Sequence, residues 1–224
     1  MNQPSARTAG TLADLATRHP AASRVFHREG LDYCCSGKRS LEDACRARGL
    51  DPEALLREIE GAPAPAQPDP DWSTRPLAQI VRHIVQHYHE PLRRELPELI
   101  AMAQKVERVH EDKPSVPRGL HALLKVMEAE VIDHLAKEEH VLFPLIVAGD
   151  GPLAAGPVQM MEEEHKDHGR NLARVRELTG DLKPPAEACT TWRALYLRLD
   201  ALESELMEHI HLENNVLFPR ALCE

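Results

Sequence analysis

Two eleven-residue segments, HLAKEEHVLFP beginning at His134 and HIHLENNVLFP beginning at His209, share the pattern H-x-x-x-E-x-x-x-L-F-P. Residues four apart on a helix share a face, with Cβ atoms about 5–6 Å apart. His134 with Glu138, and His209 with Glu213, therefore each present an imidazole beside a carboxylate. A single H-x-x-x-E match carries little information, but the LFP at the same offset in both copies marks a duplicated element. If the helices bearing the two strings are equivalent, the helix preceding each should add an equivalent inward-facing residue.

The preceding helices offer histidines. In LAQIVRHIVQHYHE, His83 borders an apolar stripe of Leu77, Ile80 and Ile84, with His87 and His89 nearby. In PVQMMEEEHKDHGRNLARV, His165 shares a face with Met161 and Leu172, and so does His168. One histidine from each of four helices plus two glutamates makes an N4O2 set. Six such groups in the centre of a bundle are prohibitively costly to bury unless something binds them. Imidazole with carboxylate suits iron, manganese or zinc, and two glutamates can each serve two metals. Iron is favoured because six-coordination leaves positions for an oxo or hydroxo bridge and for exogenous ligands, where zinc more often settles for fewer ligands.

The rest of the chain frames this set. GAPAPAQPDP has four prolines in ten residues and reads as a semi-extended linker. It divides a small helical unit (1–60) from a larger one (73–224) across a linker at 61–72. In the small unit Leu12, Leu15 and Ala16 form one stripe. Pro20 opens a second helix that Gly30 ends, SLED from Ser40 opens a third, and Asp51-Pro52 opens a fourth. In the larger unit four long helices are expected. The first spans about 74–108, interrupted or kinked by Pro91 and Pro97; the second spans about 117–147. The third is expected from about Pro157 to Leu178, and the fourth from after KPPAEA toward Leu222. No stretch alternates with period two. The fold class is all-α: an antiparallel four-helix bundle preceded by a small helical, cysteine-bearing domain.

A formal net charge of −9 argues against non-specific nucleic-acid binding. No apolar run is long enough to span a membrane, and MNQPSARTAG has no apolar core of an export signal. The expectation is a cytoplasmic protein with reduced thiols. Of five cysteines, Cys34 and Cys35 are adjacent, in a loop before a helix, with Lys38 and Arg39 close by to favour thiolate. Capture of iron, binding of a cluster and redox exchange with a client are all open to them. Cys45, Cys189 and Cys223 are read as bystanders. Glu130, one turn before His134, and Glu164, next to His165, are candidates to orient an imidazole or relay protons.

The order H…HxxxE…H…HxxxE on a four-helix bundle resembles the hemerythrin-like di-iron fold. DYCCSGKRSLEDAC resembles the cysteine-bearing N-terminal domain of the di-iron proteins that repair iron–sulfur clusters. KVERVHEDKPSVPRGL, PAEACTTW and HLENNVLFPRAL resemble segments of the bundle of those same proteins. The resemblance spans nearly the whole chain. It implies two iron ions per chain on His83, His134, Glu138, His165, His209 and Glu213, with Glu138 and Glu213 bridging. It implies damaged iron–sulfur proteins as clients, nitric oxide or oxygen as small ligands, and a homodimer. The function it implies is repair of clusters damaged by nitric oxide or oxidants, by donation of iron, with Cys34 and Cys35 as transfer thiols. Reduction of nitric oxide, and sensing of oxygen or nitric oxide, are the alternatives. The pattern departs from oxygen-carrying hemerythrins in two ways. Gly169 stands where their third helix has a second histidine, and the last carboxylate follows its histidine by four residues, not five. The missing ligand favours ligand exchange or iron release over reversible oxygen storage.

Overall fold

The computed structural model describes residues 10–63 and 70–223. Four short helices come first: α1 (Leu12–Arg18), α2 (Pro20–Glu29), α3 (Leu41–Arg48) and α4 (Pro52–Gly61). Their ends follow from local chemistry. Thr11 and Asp14 form a reciprocal capping box at α1, Ser40 caps α3 through the Asp43 amide, and Asp51 caps α4 ahead of Pro52. Gly30 and Gly49 end α2 and α3 in the left-handed conformation that glycine adopts without strain. Much of the expected linker lies outside the described residues.

The bundle has four rods. The first is α5 (Leu77–Ile84), a π turn (Val85–His89) and α6 (Glu90–Val109). The second is α7 (Leu120–Lys137), a π turn (Glu138–Leu142) and α8 (Phe143–Ala148). The third is the continuous α9 (Gly151–Thr179). The fourth is α10 (Thr190–Leu212), a π turn (Glu213–Leu217) and α11 (Phe218–Ala221). Rod order and short connections place α6 against α7 and α10, and α9 against α7 and α10.

Each π turn stands in the same relation to a proline. Pro91, Pro144 and Pro219 have no N–H to donate and would clash with the carbonyl four residues back in a regular helix. In all three rods the residue just before the proline donates five residues back: Glu90 to the Val85 carbonyl, Phe143 to Glu138 and Phe218 to Glu213. The extra residue lets the helix continue through the proline, so the interruption expected at Pro91 is a one-turn π bulge, not a break. The third helix also starts earlier than expected, at Gly151, and carries Pro157 within it. Leu153, whose carbonyl loses the Pro157 partner, is solvent-facing, which makes that loss tolerable.

One apolar cluster runs through both parts of the chain. Phe26 and Tyr33 of the small unit belong to the same buried set as Leu96, Leu124, Trp192 and Leu199 of the bundle. A second cluster, with Ile80, Phe143, Val158 and Phe218, fills the other end of the bundle. The continuity has a measurable consequence. Changing the fully buried Phe26 to Ala should destabilise the protein by about 3–5 kcal/mol. Calorimetry should show one shifted unfolding transition for the described helices. Two transitions, with only the smaller moving, would mean that the small unit folds by itself.

Candidate metal centre

Six polar side chains meet between the two apolar clusters. His89, His209, Glu138 and Glu213 form one group and His134, His165, Glu138 and Glu213 another; within each, the candidate ligand atoms lie within 4.8 Å of one another. All six residues are buried, both glutamates at 0% exposure. Each carboxylate offers one oxygen to each group. Glu138 Oε2 is 3.4 Å from His89 Nε2 and its Oε1 is 3.4 Å from His134 Nε2. Glu213 Oε1 is 3.0 Å from His209 Nε2 and its Oε2 is 3.2 Å from His165 Nε2.

The donor set fits metal ions. Both oxygens of Glu138 and Oε2 of Glu213 are buried with no hydrogen bond, and only imidazole nitrogens 3.2 to 3.4 Å away answer their charge. Such burial costs several kcal/mol per ion unless a cation answers it. The paired imidazoles aim Nε2 at each other, 3.2 Å apart for His89 and His209 and 3.1 Å for His134 and His165. With a metal–nitrogen bond of about 2.1 Å, cis donors are about 3.0 Å apart on an octahedron and about 3.4 Å on a tetrahedron. The nitrogen–nitrogen edges of 3.1 and 3.2 Å and the nitrogen–oxygen edges of 3.0 to 3.4 Å span the range between these two values.

The ligand expected on the first rod has to be corrected. His83 lies on the outer side, stacked between Trp72 and His87 with ring centroids 4.2 and 4.1 Å apart. His89, six residues on, occupies the inward place. Straight helical periodicity points His83 toward the stripe of Ile80 and Ile84, but the π turn at Val85–His89 inserts a residue and rotates the face that follows. The signal was present in the sequence as Pro91, two residues after His89, although that spacing is not the one in the LFP strings.

Every fixed letter of the duplicated string has a structural use. The histidine and glutamate enter the centre, and the leucines Leu142 and Leu217 are buried beside it. Phe143 stacks on His89 and Phe218 on His165, with centroids 5.6 and 6.1 Å apart. The proline accompanies the π turn that opens at each glutamate. The residue after each glutamate supports a histidine of the preceding rod. Glu139 holds His89 Nδ1 at 2.7 Å, and Asn214 holds His165 Nδ1 at 2.8 Å. With Nδ1 donating its proton, Nε2 is left as the ligating atom.

Of the two acidic residues expected to orient an imidazole, one is in place. Glu164 accepts from His134 Nδ1 at 2.9 Å and is itself held by Lys137 at 2.6 Å. Glu130 is exposed and accepts instead from Asn171 at 2.6 Å, because the α7 face that carries it looks outward. Neither Glu139 nor Asn214 was foreseen; the only hint was their shared position after the repeated glutamate. His168 is also buried, edge-on to His134 at 4.9 Å, outside both four-residue groups. Burial, with His134 and His165 nearby, pushes its pKa down to about 3, so it is neutral.

With protons alone as counter-charge, burial works against ionising His134, yet Glu138 and Glu213 bring its pKa up to about 9. Burial likewise opposes the Glu138 anion, but His134 and His89 hold its carboxyl well below the usual range.

Cys34 and Cys35 lie beside this centre. The Cys35 thiol reaches the His165 carbonyl at 3.4 Å. Asn214 and Asn215 both donate to the Cys34 carbonyl at 3.3 Å, so Asn214 ties His165 to the cysteine loop. Gly37 is needed for this close approach, since a Cβ there would fall 2.5 Å from the Tyr33 carbonyl and 3.2 Å from Asn215 Oδ1. A Cβ at Gly169 would meet Cys35 Sγ at 3.9 Å, so a longer side chain there would compete with the thiol for space. The expected thiolate at Cys34 is not what its surroundings favour. The Cys35 contact and burial push its pKa well above the ordinary value, while Lys38 and Arg39 are exposed to solvent.

Comparison with known proteins agrees with this layout. Residues 81–221 match the hemerythrin HHE cation binding domain, and residues 8–63 match a domain described as of unknown function (DUF542). The chain is 50% identical over 213 residues to the iron-sulfur cluster repair protein YtfE of Citrobacter koseri, covering 95% of this chain and 96% of that one. It is 49% identical over the same spans to the proteins of that name from Escherichia coli and Enterobacter sp.. This chain belongs to the YtfE family of hemerythrin-like proteins. The all-α fold and its iron-binding bundle follow from that membership, and among the described residues no helix is long and apolar enough to cross a membrane.

Two outcomes check the centre. His89→Ala should cut the metal content of the purified protein to about half or less, whereas His83→Ala should leave it unchanged; metal analysis decides between them. Metal uptake should also be proton-coupled. Below about 9 the His134 imidazole carries a proton that an ion must displace, so apparent affinity should rise as pH increases toward about 9. Competition with a chelator across that range, with proton release measured at neutral pH, reads this directly.

Proposed function

We propose that this protein holds two iron ions, one in each His/Glu group, and repairs iron–sulfur clusters damaged by nitric oxide or oxidants by supplying iron to them. The observation that carries the reading is the cysteine loop seated on His165. A site for gas storage or sensing has no use for a thiol against one of its ligands and a second thiol beside it, whereas an ion leaving that group needs ligands to accept it. The name borne by the relatives, iron-sulfur cluster repair protein, supports the same reading.

In this reading His89 and His209 would hold one ion and His134 and His165 the other, and Glu138 and Glu213 would each offer a carboxylate oxygen to both. Bound iron supplies one-electron redox change and exchangeable positions for an oxo or hydroxo bridge, or for nitric oxide or oxygen. The chain's own part is to fix the imidazoles through Glu139, Glu164 and Asn214 and to exclude bulk water by burial. Cys34 and Cys35 act in transfer to the client, not in holding the resting ions. The proposed domain boundaries remain 1–60, 61–72 and 73–224, supported by the two family matches. A cytoplasmic location belongs to the same reading. So does a homodimer, with support in the exposed Leu153, Met160 and Leu197 of the bundle.

The test is reactivation of a nitric oxide-damaged iron–sulfur dehydratase by anaerobic, iron-loaded protein. Two irons per chain and recovery of dehydratase activity are expected for the wild type. Cys34→Ser/Cys35→Ser, at equal iron content, should recover little. Equal recovery by that variant would take the cysteines out of the transfer step, and no recovery by the wild type would reject repair.

A further inference from the structure

Beyond the His/Glu groups, one more cluster has the makings of a ligand set. Asp32, Cys34 and Cys35 bring a carboxylate oxygen and two sulfurs within 4.8 Å of one another. Cys34 Sγ is 3.6 Å from Cys35 Sγ and 3.2 Å from Asp32 Oδ1, and the Cys35 amide fixes that same oxygen at 2.9 Å. For a tetrahedral ion with metal–sulfur bonds of about 2.3 Å and a metal–oxygen bond of about 2.1 Å, the S···S and S···O edges are about 3.7 and 3.6 Å. The two measured edges are within a few tenths of an ångström of these. Adjacent cysteines usually point to opposite sides of an extended chain; here the bend at residues 34–36 brings both sulfurs to one side.

The open side of the cluster faces a cavity of about 500 Å³ lined by all three residues and by Arg48, Lys166, Arg170 and Arg176. Of these cations Arg176 pairs with Glu203, Lys166 with Glu163 and Arg170 with Asp167, and the lining itself holds only two acids, Asp32 and Glu203. Two thiolates and a carboxylate around a divalent ion carry a net negative charge, and nearby cations favour such a set over the protonated thiols. The cavity leaves room for a fourth, exchangeable ligand from solvent.

We propose that Asp32, Cys34 and Cys35 form a mononuclear site for a thiophilic divalent cation such as Fe²⁺, distinct from the two His/Glu groups and open to the cationic cavity. Two sulfurs and one oxygen select iron, cobalt or zinc over magnesium or calcium. The site lies against the His165 carbonyl, where an ion passing between the bundle and solvent would meet it. That role as a way station rests on the repair function proposed above; the site itself does not.

Cobalt is a suitable probe because thiolate ligation and tetrahedral geometry each give it characteristic absorption. Protein with its His/Glu groups already iron-loaded is titrated anaerobically with Co²⁺, and iron content is measured before and after. The expected result is about one Co²⁺ per chain, with thiolate-to-cobalt charge-transfer absorption and tetrahedral visible bands, and no loss of iron. Cys34→Ser and Cys35→Ser should each remove or halve the charge-transfer absorption. Asp32→Ala should weaken binding by more than about a hundredfold, beyond the roughly 10–100-fold usual for a residue that only supports a ligand. Cys189→Ser should change nothing, which excludes the contact between His110 and Cys189 as the source. Absence of the charge-transfer absorption in the wild type, its survival in both cysteine variants, or its loss in Cys189→Ser would overturn the proposal. Should the cysteine variants lose iron and fold, the Asp32 variant still decides. Since the readout is cobalt binding, failure of the site and failure of the repair reading are separate outcomes.

Discussion

Glu138 and Glu213 are carboxylates at 0% exposure, and three of their four oxygens lack a hydrogen bond. An arrangement of that kind is tolerable only if positive charge enters with it. The four imidazoles around the carboxylates present nitrogens in pairs 3.1 and 3.2 Å apart, a spacing suited to cations larger than a proton. Much of the bundle's middle section serves this requirement. The apolar clusters above and below exclude water, Phe143 and Phe218 stack on two of the imidazoles, and polar partners turn three Nδ1 atoms away from the centre.

The π turns are how the helices meet that demand. A regular helix advances its side chains by a fixed angle, so a ligand and its supporting residues reach only a limited set of directions. One extra residue per turn changes the phase. It lets Glu138 point inward while the next residue, Glu139, reaches across to the first rod, and the same holds for Glu213 and Asn214. Proline at a set distance makes the wider turn the accommodating one, because it removes a hydrogen bond that the regular helix would need. The third rod has no π turn among its described residues, although Pro157 lies within it, and the histidine it supplies arrives on ordinary periodicity.

The two copies of the string diverge where they face different neighbours. In the second copy His211, Asn214 and Asn215 contact the small unit: His211 lies against Tyr33 and Thr17, and both asparagines hold the Cys34 carbonyl. In the first copy the residue matching Asn214 is Glu139, paired with Arg93 as well as His89. Duplication thus made two similar half-centres, and only the fourth rod was adapted to seat the cysteine loop. The apolar core, continuous from Phe26 to Trp192, makes that seating part of the fold.

The helical class, the four-rod bundle, the helix starts at Pro20, Ser40 and Asp51, and five of the six central residues were legible in the sequence. Each of these depends on local chemistry or on a repeat that needs no partner to be recognised. His89 in place of His83 was not legible, since its direction depends on a π turn that shifts the helical phase between the two positions. Glu139 and Asn214 were not legible because each acts across to another rod, and Glu130 stays outside the centre because its helix turns that face to solvent. The protonation of Cys34 likewise depends on burial and on the neighbouring thiol, not on the cations close to it in sequence. The sequence by itself determined which residue types must converge, through a repeated histidine–glutamate spacing. Only the tertiary structure decided which of several nearby histidines arrives and what holds it, because helical phase and packing between rods are properties of the assembled bundle.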